Sequence, residues 1–247
     1  MSYRFFTPPE CISEGRVVFS EDQRKQLRNV LRLRPGEIVY TLDNTGREYT
    51  AEIETLDEAR AIGRIVEVRF PATEPETKMI LIQAMPKGEK LDFILQKCTE
   101  IGVSQFLIIE TERTIARIPA GKVEARLDRW RAIVREAAEQ SGRALLPVVE
   151  GVLPFDKALA RAAQVPSMIA SREKGAPNIL SALRQRGSPD SVAVLIGPEG
   201  GFAPAEVDHA RETGIVPVSL GPRTLRTETA AIVASALVVL AQEAGVS

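Results

Sequence analysis

Two apolar segments near the C-terminus each end in a glycine-containing loop, and this arrangement constrains the fold more than any other feature. Residues 192–196 are followed by the loop GPEGG at 197–201, and residues 215–220 are followed by Gly221-Pro222. Short apolar runs bounded by glycine and proline are typical of buried strands. In open α/β sheets, ligands bind in the crevice outside the carboxyl ends of the strands. We therefore expect a ligand site at these two loops.

Strands and helices alternate through the rest of the C-terminal two thirds. The pattern predicts strands at residues 79–85, 106–110, 167–171, 192–196 and 216–220. It predicts helices at residues 89–101, 122–141 and 229–244, the first two stopped by Gly102 and Gly142. Such alternation favours an α/β fold with a mostly parallel sheet covered by helices on both faces.

The first 70 residues instead read mostly as strands. A short strand is predicted at 16–19, a hairpin over 37–54 and a further strand at 62–70, with one helix at 22–33. This pattern indicates a small β-barrel. Residues 71–77 contain two prolines and no apolar period, so they are interpreted as a linker. The predicted domains are therefore a barrel over 1–72 and an α/β domain over 73–247.

Composition is that of an ordinary globular protein. The chain has 247 residues, of which 44% are hydrophobic and 26% charged. The longest apolar stretch, 230–241, is too short to span a membrane, and the N-terminus lacks the apolar core of a signal peptide. Cys11 and Cys98 match no metal-ligand spacing, so we expect no metal site. These features predict a cytoplasmic protein that does not enter membranes.

Basic residues are concentrated in two segments although the net charge is only -1. Residues 16–34 carry six basic and two acidic side chains, and residues 111–143 carry eight basic and five acidic ones. Such clusters are typical of proteins that bind a phosphate backbone. The alternative is a solvated face of an amphipathic helix.

The two glycine loops each allow two interpretations. The GPEGG loop matches neither common nucleotide-phosphate motif, and Glu199 would repel phosphate, so it suits a neutral or cationic ligand. The alternative is a tight turn with no ligand. In residues 221–229, Arg226 could bind a phosphate or carboxylate. Alternatively, Thr227 or Thr229 caps the last helix and Glu228 favours its N-terminus.

The motifs IGPEGGF and LGPRTLRTETAA resemble those of the RsmE-type family of ribosomal RNA methyltransferases, which belong to the SPOUT class. The resemblance extends along nearly the whole chain, through RFF at 4–6, VLRL at 30–33, MPKG at 85–88, QKCTEIGV at 96–103, RW at 129–130 and EAAEQSGR at 136–143. The chain departs from the family at Lys25 and Gln26, where histidines are frequent. It also has Ala203 where a serine or threonine N-cap is usual, which should weaken that helix start.

The resemblance implies an N-terminal PUA-like β-barrel and a C-terminal SPOUT α/β domain that ties a trefoil knot. It implies S-adenosylmethionine as the methyl donor, and N3 of a specific uridine in 16S (small-subunit) ribosomal RNA as the acceptor, on free RNA or the 30S subunit. It also implies a homodimer. By analogy, the cofactor-binding residues are Ile196, Gly197, Glu199, Gly200, Gly201, Leu220, Gly221, Leu225 and Thr227.

Uridine N3 carries a proton and is a poor nucleophile until that proton is removed or the anion is stabilised. Glu228 is the only carboxylate in its loop and is a candidate general base, while Arg226 is a candidate for stabilising charge on the uracil oxygens. The sequence does not decide between them. The single histidine, His209, is expected at the surface. RNA contacts are expected from Arg4, Arg28, Arg32, Lys87, Lys97, Arg113 and Arg143.

Two other functions are compatible with parts of this pattern. The first is an RNA-binding or assembly protein that keeps the fold without the chemistry, although a pure binder does not need a cofactor pocket. The second is a SPOUT methyltransferase that acts on transfer RNA. The intact GPEGG and LRTET loops argue against the first, and the long resemblance outside these loops argues against the second.

Overall fold

The computed structural model of the protein describes residues 3–187 and 189–244. Its chain forms two compact units. One contains the residues up to Glu74 together with Ala138–Leu146, and the other contains Pro75–Ala137 together with the chain from Pro147. The stretch Ala138–Leu146 belongs to the first unit because Ala138 and Ala144 share an apolar cluster with Phe6 and Leu42. A linear reading of the sequence does not anticipate this packing.

The first unit is built on one six-stranded sheet that curls into a half-barrel. The strands are β1 (Arg4–Phe6), β2 (Ile12–Ser13), β3 (Arg16–Val18), β4 (Ile38–Leu42), β5 (Glu48–Leu56) and β6 (Ala61–Arg69). Their order is β1-β4-β5-β6-β3-β2, and every pairing is antiparallel except that of β1 with β4. The sequence predicted β3 to β6, whereas β1 and β2 are too short to show an alternating pattern.

The helix predicted at 22–33 forms in two parts. Helix α1 (Glu21–Lys25) begins with a capping box in which Ser20 and Gln23 bond each other's backbone, and it continues into a π-helical turn over Gln26–Val30. Leu27 of this turn is fully buried, and it packs with Phe5 and Val39 in the core of the half-barrel.

The second unit contains a six-stranded sheet in which every pairing is parallel. Its strands are β7 (Lys78–Ala84), β8 (Val103–Glu110), β9 (Val148–Pro154), β10 (Ser167–Ala170), β11 (Ser191–Ile196) and β12 (Val216–Val218). The strand order is β12-β10-β11-β7-β8-β9. Strand β9, at the edge of the sheet, was not predicted. The carboxyl ends of all six strands lie along one edge, which is where the site is expected.

Helices cover both faces of this sheet, as predicted. The helices are α2 (Lys90–Ile101), α3 (Val123–Ser141), α4 (Phe155–Ala162), α5 (Ile179–Arg184), α6 (Pro204–Glu212) and α7 (Thr227–Glu243). Side chains of α2, α3, α5 and α7 form one core with the sheet, and those of α4 and α6 form a second core. The half-barrel and the parallel α/β sheet confirm the predicted fold class. Within the described parts of the chain, no helix combines the length and apolar character that a membrane crossing needs.

Candidate active site

A pocket of about 330 Å³ opens at the carboxyl ends of β10, β11 and β12. The loops that follow these three strands line it, together with the first turns of α7. The lining residues are Ala170, Ser171, Arg172, Glu173, Ile196, Gly197, Pro198, Glu199, Gly201, Ser219, Leu220, Gly221, Pro222, Arg223, Thr224, Leu225, Thr227 and Ala230. A pocket of this size suits a small organic ligand.

The structure brings together every predicted cofactor-binding residue except Gly200. That residue faces away from the pocket, against Arg113: a Cβ atom on Gly200 would lie 3.4 Å from Arg113 Cδ, and the Gly200 carbonyl accepts a hydrogen bond of 2.9 Å from Arg113 Nη1. One wall of the pocket was not predicted from the sequence. Residues 171–173, which follow β10, line the pocket, but this polar connection carries no motif that marks it as a site.

Glycine is required in the two predicted loops for two different reasons. Gly201 and Gly221 have φ angles of 68° and 113°, which disfavour any residue with a Cβ atom. Gly197 instead lies where a Cβ atom would be 3.0 Å from the backbone nitrogen of Phe202. The loop after β11 therefore folds back closely on itself and exposes its backbone to the pocket.

The start of α7 is tied to the loop after β11. Thr227 Oγ1 donates to the Gly197 carbonyl at 2.7 Å and accepts from the buried amide of Gln83 at 3.1 Å. Thr227 is thus a pocket residue and a link between β7, β11 and α7. Its side chain caps no helix nitrogen, because the N-cap position belongs to Arg226.

The two candidate catalytic residues flank Thr227 and lie beside the pocket rather than in its wall. The Arg226 side chain is exposed. The Glu228 side chain is only 18% exposed, and its Oε2 atom is closed to solvent with no hydrogen-bond donor among the described residues. A buried carboxylate oxygen without a donor is costly unless a cation or a ligand compensates it.

Lys90, at the start of α2, supplies the nearest cation. Its Nζ lies 2.7 Å from Glu199 Oε1 and 3.8 Å from Glu228 Oε2. The hydrogen bond with Glu199 raises the pKa of Lys90. Burial raises the pKa of Glu199, but hydrogen bonds from Lys90 and from the Lys87 amide outweigh burial and leave that pKa below its usual value. No sequence pattern marks Lys90, because its partners are more than a hundred residues away along the chain.

Of the predicted RNA contacts, Lys87 and Arg113 lie closest to the pocket. They line a second cleft whose other residues are Glu112, Thr114, Ile115, Glu199 and Gly200, so Glu199 is common to both cavities. The Arg113 guanidinium also donates to the carbonyls of Gly200 and Phe202. It therefore holds the loop after β11.

The remaining predicted RNA contacts differ in whether their side chains already pair with a carboxylate of the protein. Arg4, Arg28 and Lys97 pair with Glu48, Glu58 and Glu100 at 2.8 to 3.0 Å. Arg32 is exposed and has a left-handed backbone with φ of 55°, a conformation that non-glycine residues adopt most often at functional sites and tight turns. The role of each in RNA binding stays a prediction.

Arg143 is the least exposed of the predicted RNA contacts. Only 4% of its side chain is exposed, and its Nη2 lies 2.6 Å from Glu74 Oε2, within the first unit. This ion pair favours a structural role for Arg143, and its contact with RNA stays a prediction.

His209 is exposed on α6, as predicted. No group of residues suited to a metal ion occurs in the described ranges.

Comparison with known proteins agrees with this geometry. A family model described as an RNA methyltransferase domain matches residues 73–239, and one described as an RNA methyltransferase PUA domain matches residues 21–66. The chain is 34% identical to ribosomal RNA small subunit methyltransferase E of Synechocystis sp. over 96% of this chain and 77% of that protein. The corresponding Bacillus subtilis protein is 32% identical, over 83% and 82%.

Solved structures give the same assignment. The ribosomal RNA small subunit methyltransferase E of Neisseria gonorrhoeae, bound to S-adenosylmethionine, superimposes with a TM-score of 0.87 at 33% identity, covering 99% of this chain and 98% of that one. A methyltransferase of Legionella pneumophila in complex with the same cofactor gives a TM-score of 0.88 at 31% identity, covering 98% of each chain. The chain therefore belongs to the RNA methyltransferase family of ribosomal RNA small subunit methyltransferase E.

Proposed function

We propose that this protein transfers the methyl group of S-adenosylmethionine to N3 of a specific uridine in 16S ribosomal RNA, with the cofactor in the pocket at β10, β11 and β12. The observation that carries the proposal is the convergence of three loops into one pocket with a shielded carboxylate, Glu228, beside it. Membership of the family supports the chemistry and the class of RNA.

The residues that line the pocket fit S-adenosylmethionine. Ile196, Leu220 and Leu225 provide apolar surface for the adenine ring, and the glycine loops provide backbone groups for its edges. Glu199 adds a carboxylate suited to a ligand that carries positive charge. When bound, the cofactor supplies an electrophilic methyl group on a sulfonium, and this chain must bring a deprotonated nucleophile into line with it.

Glu228 is the group that we assign to deprotonation. In the proposed reaction the N3 proton passes to the Glu228 carboxylate, a bond forms between N3 and the methyl carbon, and the bond from that carbon to sulfur breaks. The Glu228 side chain is 18% exposed, and its shielded Oε2 atom has no donor among the described residues, so the carboxylate is not saturated by hydrogen bonds from the protein. We assign Arg226, exposed one position before the helix, to stabilising charge on a uracil oxygen.

We further propose that the RNA strand approaches through the cleft lined by Lys87 and Arg113. This cleft shares Glu199 with the cofactor pocket, so a nucleotide flanking the target lies near both. Lysine and arginine there would pair with phosphates, which position the strand without reading its sequence. Ile115, which is 71% exposed, offers apolar surface for a base.

A homodimer through the α/β domain completes the proposal, with α7 in or near the interface. Leu240 on α7 is 61% exposed, and Phe93 on α2 is also exposed, which is unusual for large apolar side chains. The protein is expected to act in the cytoplasm. Light scattering at micromolar concentration tests the dimer, and a monomer there would refute it.

The decisive experiment measures methyl transfer from labelled S-adenosylmethionine to small ribosomal subunits that lack the modification, and in parallel to free 16S RNA. Mass spectrometry of the digested RNA then identifies the product. A single 3-methyluridine supports the proposal, and the two substrates separate subunit from free RNA. Incorporation into transfer RNA alone would contradict the proposed substrate, and no binding of the cofactor in calorimetry would contradict the enzyme assignment.

A further inference from the structure

Lys90 joins two carboxylates that belong to separate segments of the chain. Glu199 lies in the loop after β11, Glu228 lies in the first turn of α7, and Lys90 lies at the start of α2. The ammonium group is 2.7 Å from Glu199 and 3.8 Å from Glu228. One cation therefore connects the wall of the cofactor pocket to the candidate base.

This arrangement differs from an ordinary surface ion pair. Lys97, on the same helix, pairs with Glu100 within a single turn, and such local pairs contribute little. Lys90 and Glu199 are about as exposed as that pair, at 34% and 31%, but the Lys90 cluster spans more than a hundred residues of sequence and includes Glu228, which is only 18% exposed. The shielding of Glu228 makes its interaction with the cation stronger than in water.

Glu228 depends on that cation. Its Oε2 atom is closed to solvent and has no hydrogen-bond donor among the described residues, so the Lys90 ammonium is the cation that offsets charge on this oxygen. The ammonium of Lys90 at 3.8 Å is too far for a hydrogen bond but close enough to attract the carboxylate and hold it in place. The carboxylate thereby keeps its lone pairs available for a donor from the substrate.

We propose that Lys90 is a positioning residue for methyl transfer, which fixes the Glu228 carboxylate against the Glu199 wall of the cofactor pocket. The proposal rests on the proposed function, in which Glu228 accepts the uridine N3 proton. Lys90 itself touches neither the RNA nor the reacting atoms. It acts through Glu228, so its removal lowers kcat and leaves the KM for RNA nearly unchanged.

The test is a double-mutant cycle at saturating cofactor with Lys90→Met, Glu228→Gln and the double variant. We expect Lys90→Met to lower kcat about 10- to 100-fold, as a misplaced catalytic group does. In the Glu228→Gln background the same change should lower kcat by less than about threefold, because the group through which Lys90 acts is gone. Lys90→Arg should restore most of the activity, since it keeps the charge at a similar reach.

Lys157→Met is the matched control, because Lys157 is an exposed lysine of α4 and its loss should leave kcat and KM unchanged. Calorimetry with S-adenosylmethionine and circular dichroism show that each variant is folded and binds cofactor. Equal fold-losses from Lys90→Met in both backgrounds, a rise in the KM for RNA alone, or an unchanged kcat would each overturn the proposal. Those results would not contradict the proposed function. The proposed function fails only if the wild-type enzyme makes no 3-methyluridine.

Discussion

Replacement of Arg143 by methionine should destabilise the first unit without a direct effect on RNA contact. The guanidinium is 4% exposed and forms a hydrogen bond of 2.6 Å with Glu74 Oε2. Glu74 Oε1 in turn accepts from the backbone nitrogens of Ala144 and Leu145 at 2.9 and 3.2 Å. The pair therefore holds the segment that follows α3 against the half-barrel.

The magnitude follows from the burial of each partner. Removal of one member of a fully buried ion pair costs about 3 to 5 kcal/mol. Here the Glu74 side chain remains 21% exposed and keeps two backbone donors, so part of its charge stays solvated. Methionine also preserves some of the packing of the arginine stem. We therefore expect a loss of about 2 to 3 kcal/mol in the free energy of unfolding.

Urea unfolding followed by near-ultraviolet circular dichroism measures this loss. All three tyrosines lie in the first unit and the only tryptophan, Trp130, lies in the second, so the two signals distinguish the units. The matched control is Arg131→Met on the exposed face of α3, which should change stability by less than about 0.5 kcal/mol. A wild-type urea midpoint together with weaker RNA binding would refute the structural role and restore Arg143 as a phosphate contact.

Two further outcomes concern the site, and two concern the buried thiol of Cys98. Gly197→Ala should abolish cofactor binding in calorimetry while the circular dichroism spectrum is retained, because its Cβ atom would press on the Phe202 backbone at 3.0 Å; near-normal affinity would contradict the tight loop. Arg226→Ala should abolish turnover in the methyl-transfer assay without unfolding the protein, and unchanged kcat would remove Arg226 from the mechanism. Burial raises the pKa of the Cys98 thiol to about 12, so native protein at mildly alkaline pH should react with a thiol reagent at Cys11 alone. The pKa of Cys98 in the folded protein lies above the ordinary 9.0 of a thiol. The contribution of Cys98 to stability should therefore be complete below about pH 9.0 and be lost as pH rises from there towards about 12. A stability loss that begins at neutral pH would not come from Cys98.

Local patterns were sufficient to predict the parallel sheet and two of the three pocket loops. Strand β11 and the loop after it are marked by an apolar run and by glycines that the backbone geometry demands, so the interpretation depended on neighbouring residues only. The loop after β10 has no such marks, because its side chains are those of an ordinary polar connection. Strand β9 was missed for a related reason, since only one of its seven residues is fully buried and its alternation is weak.

Long-range pairing decided the rest, and sequence patterns do not encode it. The excess of arginines over residues 111–143 correctly indicates a basic segment, but Arg143 finds Glu74, sixty-nine residues earlier, and is buried. Lys90 likewise can be recognised as part of the site only in the folded chain, where it lies close to Glu199 and Glu228. A charge count distinguishes basic from acidic segments, whereas the partner of each charge depends on the fold.

Glu206 stabilises the start of α6, where the N-cap residue Ala203 has no side chain that can accept a hydrogen bond. Ala203 supplies no side-chain cap to α6, as expected, yet Glu206 Oε2 accepts from the Ala203 nitrogen and Oε1 accepts from the Glu112 nitrogen, both at 2.8 Å. The neighbouring Arg113 holds the carbonyls of Gly200 and Phe202.

The loop after β11 is thus fixed at several points before any ligand binds. Arg113 holds its outer side, Thr227 holds Gly197, and Lys90 holds Glu199. A loop that is already ordered loses little conformational freedom when its ligand arrives, so more of the contact energy is retained as affinity. Under the proposed function, the same contacts connect the cofactor pocket to the Lys87 and Arg113 cleft and to Glu228. Order in this one loop would then serve cofactor binding, the approach of RNA and the placement of the base together.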